Sequence, residues 1–407
     1  MGISLGLVGL GAFGTVFADL FKRHPLVSRV GLCDREPERI AKFAQREDWK
    51  DKFNPRDAYE SIEAMVQADF DALVIITQPW LHAPQALLAM EHGKHVYSAV
   101  PIISLPDFDE IEEWCGRLIE GSRRTGMRYM LGETTFYRPQ CMRARKLAAE
   151  GFFGRFVFAE GEYYHDWSHG LVAVRRNRLA SKAGQEWQRI SKEKYAGKGF
   201  INSPMSYPTH SCCGPVAVMK AHAVKATAYA FRALETDAYY REFSQAPAIS
   251  NVSAFFEMSN GATCRINEFR QIGMPGREMF NIYGTEGAMM GELYHQIEPD
   301  RKTDWTNAVM TAKKMEFFSE AELRDPLPPE VYEAWKDTET NSVEYGGHGG
   351  SHAFLVHEFV DAIAHNRQPA VNIWEAARYM AMGIAAHRSA LREGERVAVP
   401  DWGDAPA

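Results

Sequence analysis

The stretch ISLGLVGLGAFG, residues 3–14, decides the fold. Its first half, Ile3 to Val8, is a short apolar run that meets Gly9, and Phe13 to Lys22 then carry helical spacing. Gly9-Leu10-Gly11-Ala12-Phe13-Gly14 is a G-x-G-x-x-G set between that strand and that helix. The first glycine permits the tight turn, the second lets the backbone approach a pyrophosphate, and the third lets helix and strand pack closely. Free N–H groups and a positive dipole end at the helix start suit phosphates, so Ala12 and Phe13 count with the three glycines as dinucleotide contacts. Asp34 follows Gly14 by twenty residues, at the end of a second apolar run, Val30 to Cys33. A carboxylate there accepts from ribose hydroxyls and repels a 2′-phosphate, so the expected cofactor is NAD rather than NADP. Arg35 complicates this, because a guanidinium can stack on adenine or pair with a 2′-phosphate.

Beyond the turn, residues 72–77 (ALVIIT) read as a β-branched strand, 84–92 as a helix, and 95–100 (HVYSAV) as a strand closed by Pro101. Strands alternating with helices predict parallel βαβ units in a doubly wound sheet. From residue 126 strand-like segments follow one another, at 128–133, 155–167, 223–234, 250–258, 262–270 and 278–284. Their period-two alternation predicts a large, mostly antiparallel sheet with one face covered, and Asn260-Gly261 marks a hairpin. Residues 351–366 and 373–393 read as helices, and 296–345 as a polar, irregular surface excursion. The expected fold is α/β: an N-terminal Rossmann domain, 1–125, followed by a C-terminal α+β domain, 126–407, with a large open sheet.

The 407 residues are 45% hydrophobic and 24% charged, which excludes a disordered tail, a collagenous fibre and a disulfide mini-scaffold. Asp and Glu outnumber Lys and Arg, 53 to 46, so the net charge is −7 and no nucleic-acid partner is expected. The six cysteines form no C-x-x-C pair and suit reduced thiols. No apolar run reaches the ~18–20 residues that span a bilayer, and no basic leader precedes the first strand. A cytoplasmic protein with no membrane partner is expected.

With the fingerprint at one end and TQPWLHAPQALLAMEHGKHVYSAVP at 77–101, the chain resembles the Gfo/Idh/MocA superfamily of NAD(P)-dependent oxidoreductases. Members show T-P-N-x-x-H, A-L-x-x-G-K-H-V and E-K-P; here Thr77, His82, Gly93, Lys94, His95, Val96 and Pro101 match, and GTEG at 284–287 resembles the family's G-T-x-G turn. The resemblance covers nearly the whole chain. It implies that the second domain's open sheet carries the substrate site and joins subunits into a homodimer or homotetramer. It also implies that Thr77, His82, Ala99 and Pro101 lie against the cofactor. The chain departs from the family at Ala99 and Val100, which stand where the E-K-P glutamate and lysine would. That lysine assists proton transfer from a sugar hydroxyl. Neither Ala99 nor Val100 can carry a proton, so another residue does so or the redox chemistry is lost.

Residues 206–215 read SYPTHSCCGP, with Tyr207 three residues ahead of His210. This Y-P-T-H form is similar to the NAD-dependent glycosidases of the superfamily, represented by bacterial α-N-acetylgalactosaminidases, which also lack the lysine. GEYYHD at 161–166 resembles their G-x-Y-x-H-D, GET at 132–134 resembles their strand-end glutamate, and GGHGGSH at 346–352 resembles their G-G-H-G-G turn. The resemblance implies a redox-neutral glycosidase: oxidation at C-3 of a sugar, loss of the C-2 proton, departure of the C-1 group, hydration and reduction. Such chemistry needs placed acids and bases. His210, near neutrality when unperturbed, is assigned to the C-3 hydroxyl proton. Tyr207 and Tyr163 are candidates for the C-2 proton, provided neighbours lower a phenol pKa of about 10. Glu133 would bind sugar hydroxyls or share the acid–base work, and His165, Asp166 and His348 would contact the sugar.

Between 171 and 200 eight Lys/Arg face two acidic residues, and Arg175 and Arg176 in it are candidates for holding an anionic sugar such as sulfoquinovose. A solvated face or subunit contact is the plainer account of that stretch. Plainer accounts also exist for His210 (a structural hydrogen-bonder), Tyr163 (sheet packing), Glu133 (a surface ion pair) and His82 (a loop positioner). No carboxylate trio accompanies His165, His169, His210 and His348, so no metal is expected. Besides the glycosidase, an NAD-dependent sugar or cyclitol dehydrogenase with another proton relay and a non-catalytic NAD-binding protein are the readings left open.

Overall fold

The computed structural model describes residues 2–234, 248–274, 276–296, 316–337, 340, 342–343 and 345–406. Strand β1 (Ile3–Val8) runs into the glycine turn and the helix Ala12–Arg23. It is followed by β2 (Val27–Cys33), β3 (Phe53–Tyr59), β4 (Ala72–Ile75), β5 (His95–Ser98) and β6 (Tyr129–Leu131). These six form one parallel sheet in the order β3-β2-β1-β4-β5-β6. All four residues of β4 are buried, as continuous apolar strands are when helices cover both faces. Strand order reverses between β1 and β4, so the crevice at the carboxyl ends there is where a doubly wound sheet takes its ligand.

Residues 128–133, expected to open the second sheet, instead supply β6, paired in parallel with β5 at Val96–Tyr129. Its three residues are all buried, and Leu131 N donates to Val371 O at 2.9 Å. So short a buried run carries no period that says which sheet it joins.

The second sheet contains β7 (Phe156–Tyr164), β8 (Ala223–Arg232), β9 (Ile249–Met258), β10 (Thr263–Phe269), β11 (Arg277–Gly284), β12 (Gly287–Met290), β13 (Leu293–Gln296), β14 (Glu316–Phe317) and β15 (Val397–Ala398). Its order is β14-β13-β12-β11-β7-β10-β9-β8-β15, antiparallel except for the parallel pair β7 and β10. Asn260 and Gly261, the latter at φ +85°, turn β9 into β10. One face buries Ala159, Ala254, Ile266 and Ile282, while the other leaves Val157, Tyr229, Phe231 and Phe255 more than half exposed.

Two C-terminal helices tie the sheets together. Gly347–Ala364 lays His352 against Phe17 of the first domain, ring centroids 4.3 Å apart, although His348, Gly349 and Gly350 are left-handed and the regular helix starts after them. Ile373–Leu391 stacks His387 on Phe108. Of the excursion expected at 296–345, residues 297–315 lie outside the described residues. The part at 316–337 is not all surface: Trp335 is fully buried and its Nε1 donates to Leu20 O at 3.0 Å. All six cysteines are buried and none is in a disulfide. No helix among the described residues is long and apolar enough to cross a membrane.

Candidate active site

A cleft of about 1550 Å³ runs from the glycine turn to His210, between the two sheets. Gly9 is at φ +91°, and a Cβ there would lie 2.3 Å from Ile76 O. A Cβ on Gly14 would lie 1.9 Å from Gly9 O, whereas one on Gly11 would meet only Arg39 Nη1, at 3.9 Å. The outer glycines therefore close the turn, and the middle one leaves its backbone open to the cleft. Asp34 Oδ2 accepts from Leu10 N at 2.7 Å and Oδ1 from Glu36 N at 2.9 Å, which fixes the carboxylate at the end of β2. Ala12, Phe13, Asp34, Arg35, Thr77 and Ala99 line the cleft. An open backbone turn, a helix start and a fixed carboxylate fit a dinucleotide with a free ribose 2′-hydroxyl.

His82 also lines the cleft, its ring set between two carbonyls: Nδ1 lies 2.9 Å from Pro101 O and Nε2 3.3 Å from Thr77 O. Burial pulls its pKa down to about 4, so the neutral ring donates to one of the two carbonyls, and it sits between the loops after β4 and β5. Pro101 itself stays outside the cleft lining and contributes its carbonyl. Arg35 pairs with Glu186 at 2.7 Å, which takes it away from a phosphate. Arg39, which sequence reading missed, stands 3.4 Å from Asp34 and beside Gly11.

At the other end, β6 leads into Glu133, whose Oε1 caps the turn Thr134–Tyr137 by accepting from Thr135 N at 2.9 Å. The buried helix Thr209–Met219 carries His210 in its first turn. That helix can sit close to β7 because Gly161 is bare: a Cβ there would lie 1.9 Å from Ser211 O. The approach puts His210 Nδ1 2.7 Å from Glu133 Oε1 and its ring 4.8 Å from Tyr163 and 5.4 Å from Tyr207. Register places Tyr163 between Glu268 of β10 and Glu278 of β11. Burial opposes charge on His210, but Glu133 beside it, with Glu278 and Glu268 behind, carries its pKa up to about 9. Burial likewise works against the Glu133 carboxylate, and His210 holds it below the usual range.

Glu133 is thus fully buried behind His210 and outside the cleft lining, with its Oε1 on that ring. The tyrosines also differ from expectation. Burial pushes Tyr163 up to about 12 despite Arg270, and Tyr207 well above 10, so neighbours do not activate either phenol here. His165 lines the cleft with Nδ1 3.0 Å from Tyr163 Oη, and His348 lines it with Nδ1 2.9 Å from His352 Nε2. Asp166 lies outside the lining, its Oδ2 accepting from Ile272 N at 2.8 Å. Arg175 lines the cleft, 5.9 Å from the Trp80 ring, while Arg176 is exposed outside it. Among the described residues no group of three or more His, Cys, Asp or Glu is placed for a metal ion.

Sequence reading also missed the wall behind the cluster. Arg270 lies 4.8 Å over the Tyr163 ring and donates to Glu268 Oε2 at 2.7 Å, and Ser211 Oγ donates to Glu268 Oε1. Arg138 Nε donates to Glu278 at 2.6 Å. A signal existed: Ile266, Glu268 and Arg270 keep a two-residue step along β10 and just past its end, so two charges follow the buried Ile266 on its face.

Fold and cleft together define an NAD-binding protein of the Gfo/Idh/MocA class, with a Rossmann domain and a second domain on an open mixed sheet. Residues 3–129 match the description "Oxidoreductase family, NAD-binding Rossmann fold". Residues 137–405 match "Glycosyl hydrolase 109, C-terminal domain", and the chain belongs to that family, glycosyl hydrolase 109. It is similar to a glycosyl hydrolase family 109 protein of Stenotrophomonas maltophilia, 24% identical over 98% of this chain and 89% of that one. It is also similar to an α-N-acetylgalactosaminidase of Tannerella forsythia, 25% identical over 82% and 71%. Among solved structures, the scyllo-inositol dehydrogenase of Lactobacillus casei with NAD(H) and scyllo-inositol superposes with a TM-score of 0.64, at 15% identity over 98% and 99% of the chains. An oxidoreductase domain protein of Kribbella flavida superposes at 0.71, with 17% identity over 98% and 100%. At such identities these two show the shared fold.

Proposed function

We propose that the chain is an NAD-dependent, redox-neutral glycosidase. One observation carries the reading: Ala99 and Val100 bring no proton-carrying group to the cleft, while His210, held by Glu133 at 2.7 Å, brings one. Bound NAD supplies the reversible oxidation and reduction of the sugar's C-3 carbon. His210, tied to Glu133 through Nδ1, takes the C-3 hydroxyl proton on Nε2 and later returns it. Glu133 also holds the proton on that ring, so only the unprotonated fraction can begin the cycle. Tyr163 and Tyr207 flank the ring for the C-2 proton. Burial raises both phenols, so neither is a base before substrate binds; Tyr163, with the Arg270 guanidinium over its ring opposing that rise, is the candidate for the C-2 proton. The C-1 group then leaves and water adds to the enone.

An anionic sugar is supported by Arg175 and Arg178, which line the cleft on the second-domain side, where the lining carboxylate, Glu186, is itself paired with Arg35; Arg270 also lines it but is held by Glu268. Arg forks suit sulfonate, carboxylate or phosphate. The exposed apolar face of the second sheet supports assembly into a homodimer or homotetramer. The test is a panel of p-nitrophenyl glycosides, neutral and anionic, read for nitrophenol and NADH together, with His210→Ala as control. Nitrophenol without net NADH, lost in the variant, is expected. Net NADH from free sugars or cyclitols with no aglycone release would replace the glycosidase with a dehydrogenase.

A further inference from the structure

Between β7 and the helix Thr209–Met219 the second domain inserts two helices, Val172–Ala180 and Lys182–Tyr195. They do not stay with their own sheet. The second helix reaches the first domain at three places, all near the carboxyl ends of the parallel strands. After β2, Lys182 N donates to Glu36 Oε1 at 3.0 Å, Lys182 Nζ donates to Arg35 O at 2.6 Å, and Arg35 pairs with Glu186 at 2.7 Å. After β4, Trp187 stacks on Trp80 with ring centroids 4.9 Å apart and planes 10° from parallel. After β5, Lys194 Nζ and Tyr195 Oη donate to Glu110 at 2.6 Å and 2.7 Å. The cleft beneath is lined by Gly11, Asp34 and Glu36 on one side and by Ser181, Ala183 and Trp187 on the other.

We infer that this two-helix segment, 172–195, is a strap that retains NAD in the cleft, latched at its nucleoside end by Lys182 and Glu186 on Arg35 and Glu36. The strap concerns the dinucleotide site alone and would serve a glycosidase and a dehydrogenase alike. Two of the basic residues of this stretch are docking groups, Lys182 and Lys194, which meet the first domain, while Arg189 pairs with Glu193 along its own helix. The latch is also local. Arg35 and Glu186 are about half exposed, so releasing it breaks polar contacts that water can replace, while the stacked Trp80 and Trp187 hold the strap's middle. A dinucleotide has to pass the strap to leave, and the latch contacts set how often it can.

The full-length protein, loaded with NAD and desalted, is diluted into nucleotide-free buffer, and retained NAD is measured over time by chromatography of the denatured sample. The wild type is expected to keep its nucleotide through desalting, and the double variant K182A/E186A to release it about fivefold to tenfold faster. E186D, which keeps the charge, should stay near the wild-type rate, and the ligand-free melting temperatures of all three should agree, which separates a latch from a folding defect. Trypsin is a second readout: bound NAD should slow cleavage within 172–195 in the wild type and less so in K182A/E186A. Equal release rates for wild type and double variant, or loss of all NAD from the wild type on one desalting passage, would overturn the strap. Neither outcome bears on which reaction the site performs.

Discussion

His210 and Glu133 set the site's pH behaviour. The ring's pKa stands near 9, above the ordinary 6.5, because a buried carboxylate faces it. If the unprotonated ring is the base, kcat/KM should rise about tenfold per pH unit below that value and level off above it. Glu133→Gln removes the anion, so the acidic limb should move to lower pH while the plateau falls through lost orientation; an unmoved limb would separate His210 from the rate. His210→Ala should cost about 10²–10⁴-fold in turnover while NAD still binds, measured by retained nucleotide. The stability contributed by the raised His210 pKa has the matching sign: it is fully present below the unfolded pKa of 6.5 and is lost as pH rises through about 9, whereas the part from the lowered Glu133 pKa is lost as pH falls below the ordinary carboxylate range.

At the scale of elements, the glycine turn separates space from chemistry. Gly14→Ala forces a Cβ onto Gly9 O and should destabilise the protein by about 1–3 kcal/mol in denaturant melts. Gly11→Ala meets nothing closer than Arg39 Nη1, so it should fold normally and weaken NAD about tenfold or more, read by calorimetry. The helix Phe108–Thr125 starts at Asp107, which accepts from Asp109 N at 3.0 Å and Glu110 N at 3.2 Å, and ends at Gly126 at φ +72°. Asp107→Ala should cost about 1 kcal/mol without altering NAD binding. This helix carries Glu110, where the strap also lands, so its capping and the strap's seat lie within one turn.

At the scale of the molecule, the two sheets share one core through the last two helices, and the outer face of the nine-stranded sheet keeps Tyr229, Phe231 and Phe255 exposed. Light scattering is expected to give a dimer or tetramer, and the double substitution Phe231→Glu with Phe255→Glu to shift it to monomer without loss of NAD; a monomeric wild type would leave that face without a partner.

The chain's order along itself was enough for the cofactor turn, since strand, turn, helix and Asp34 are neighbours whose meaning depends on spacing alone, but not for β6, the short sixth strand that closes the first sheet. The motifs around Glu133, Tyr163, Tyr207 and His210 were legible too, as separate segments. What they do to one another was not. Glu133 and His210 are 77 residues apart, and only packing of the helix Thr209–Met219 on Gly161 makes one the partner of the other. Burial, which raises both phenols, and the carboxylates of Glu133, Glu278 and Glu268, which charge His210, arise from segments distant in the chain. The basic stretch at 171–200 gave its charge in sequence but not its direction, because the carboxylates and carbonyl it meets belong to the other domain. Periodicity and motif are local properties of a chain, so sequence alone determined the cofactor turn and the candidates; desolvation and charge pairing depend on what folding brings close, so the tertiary structure alone decided their roles.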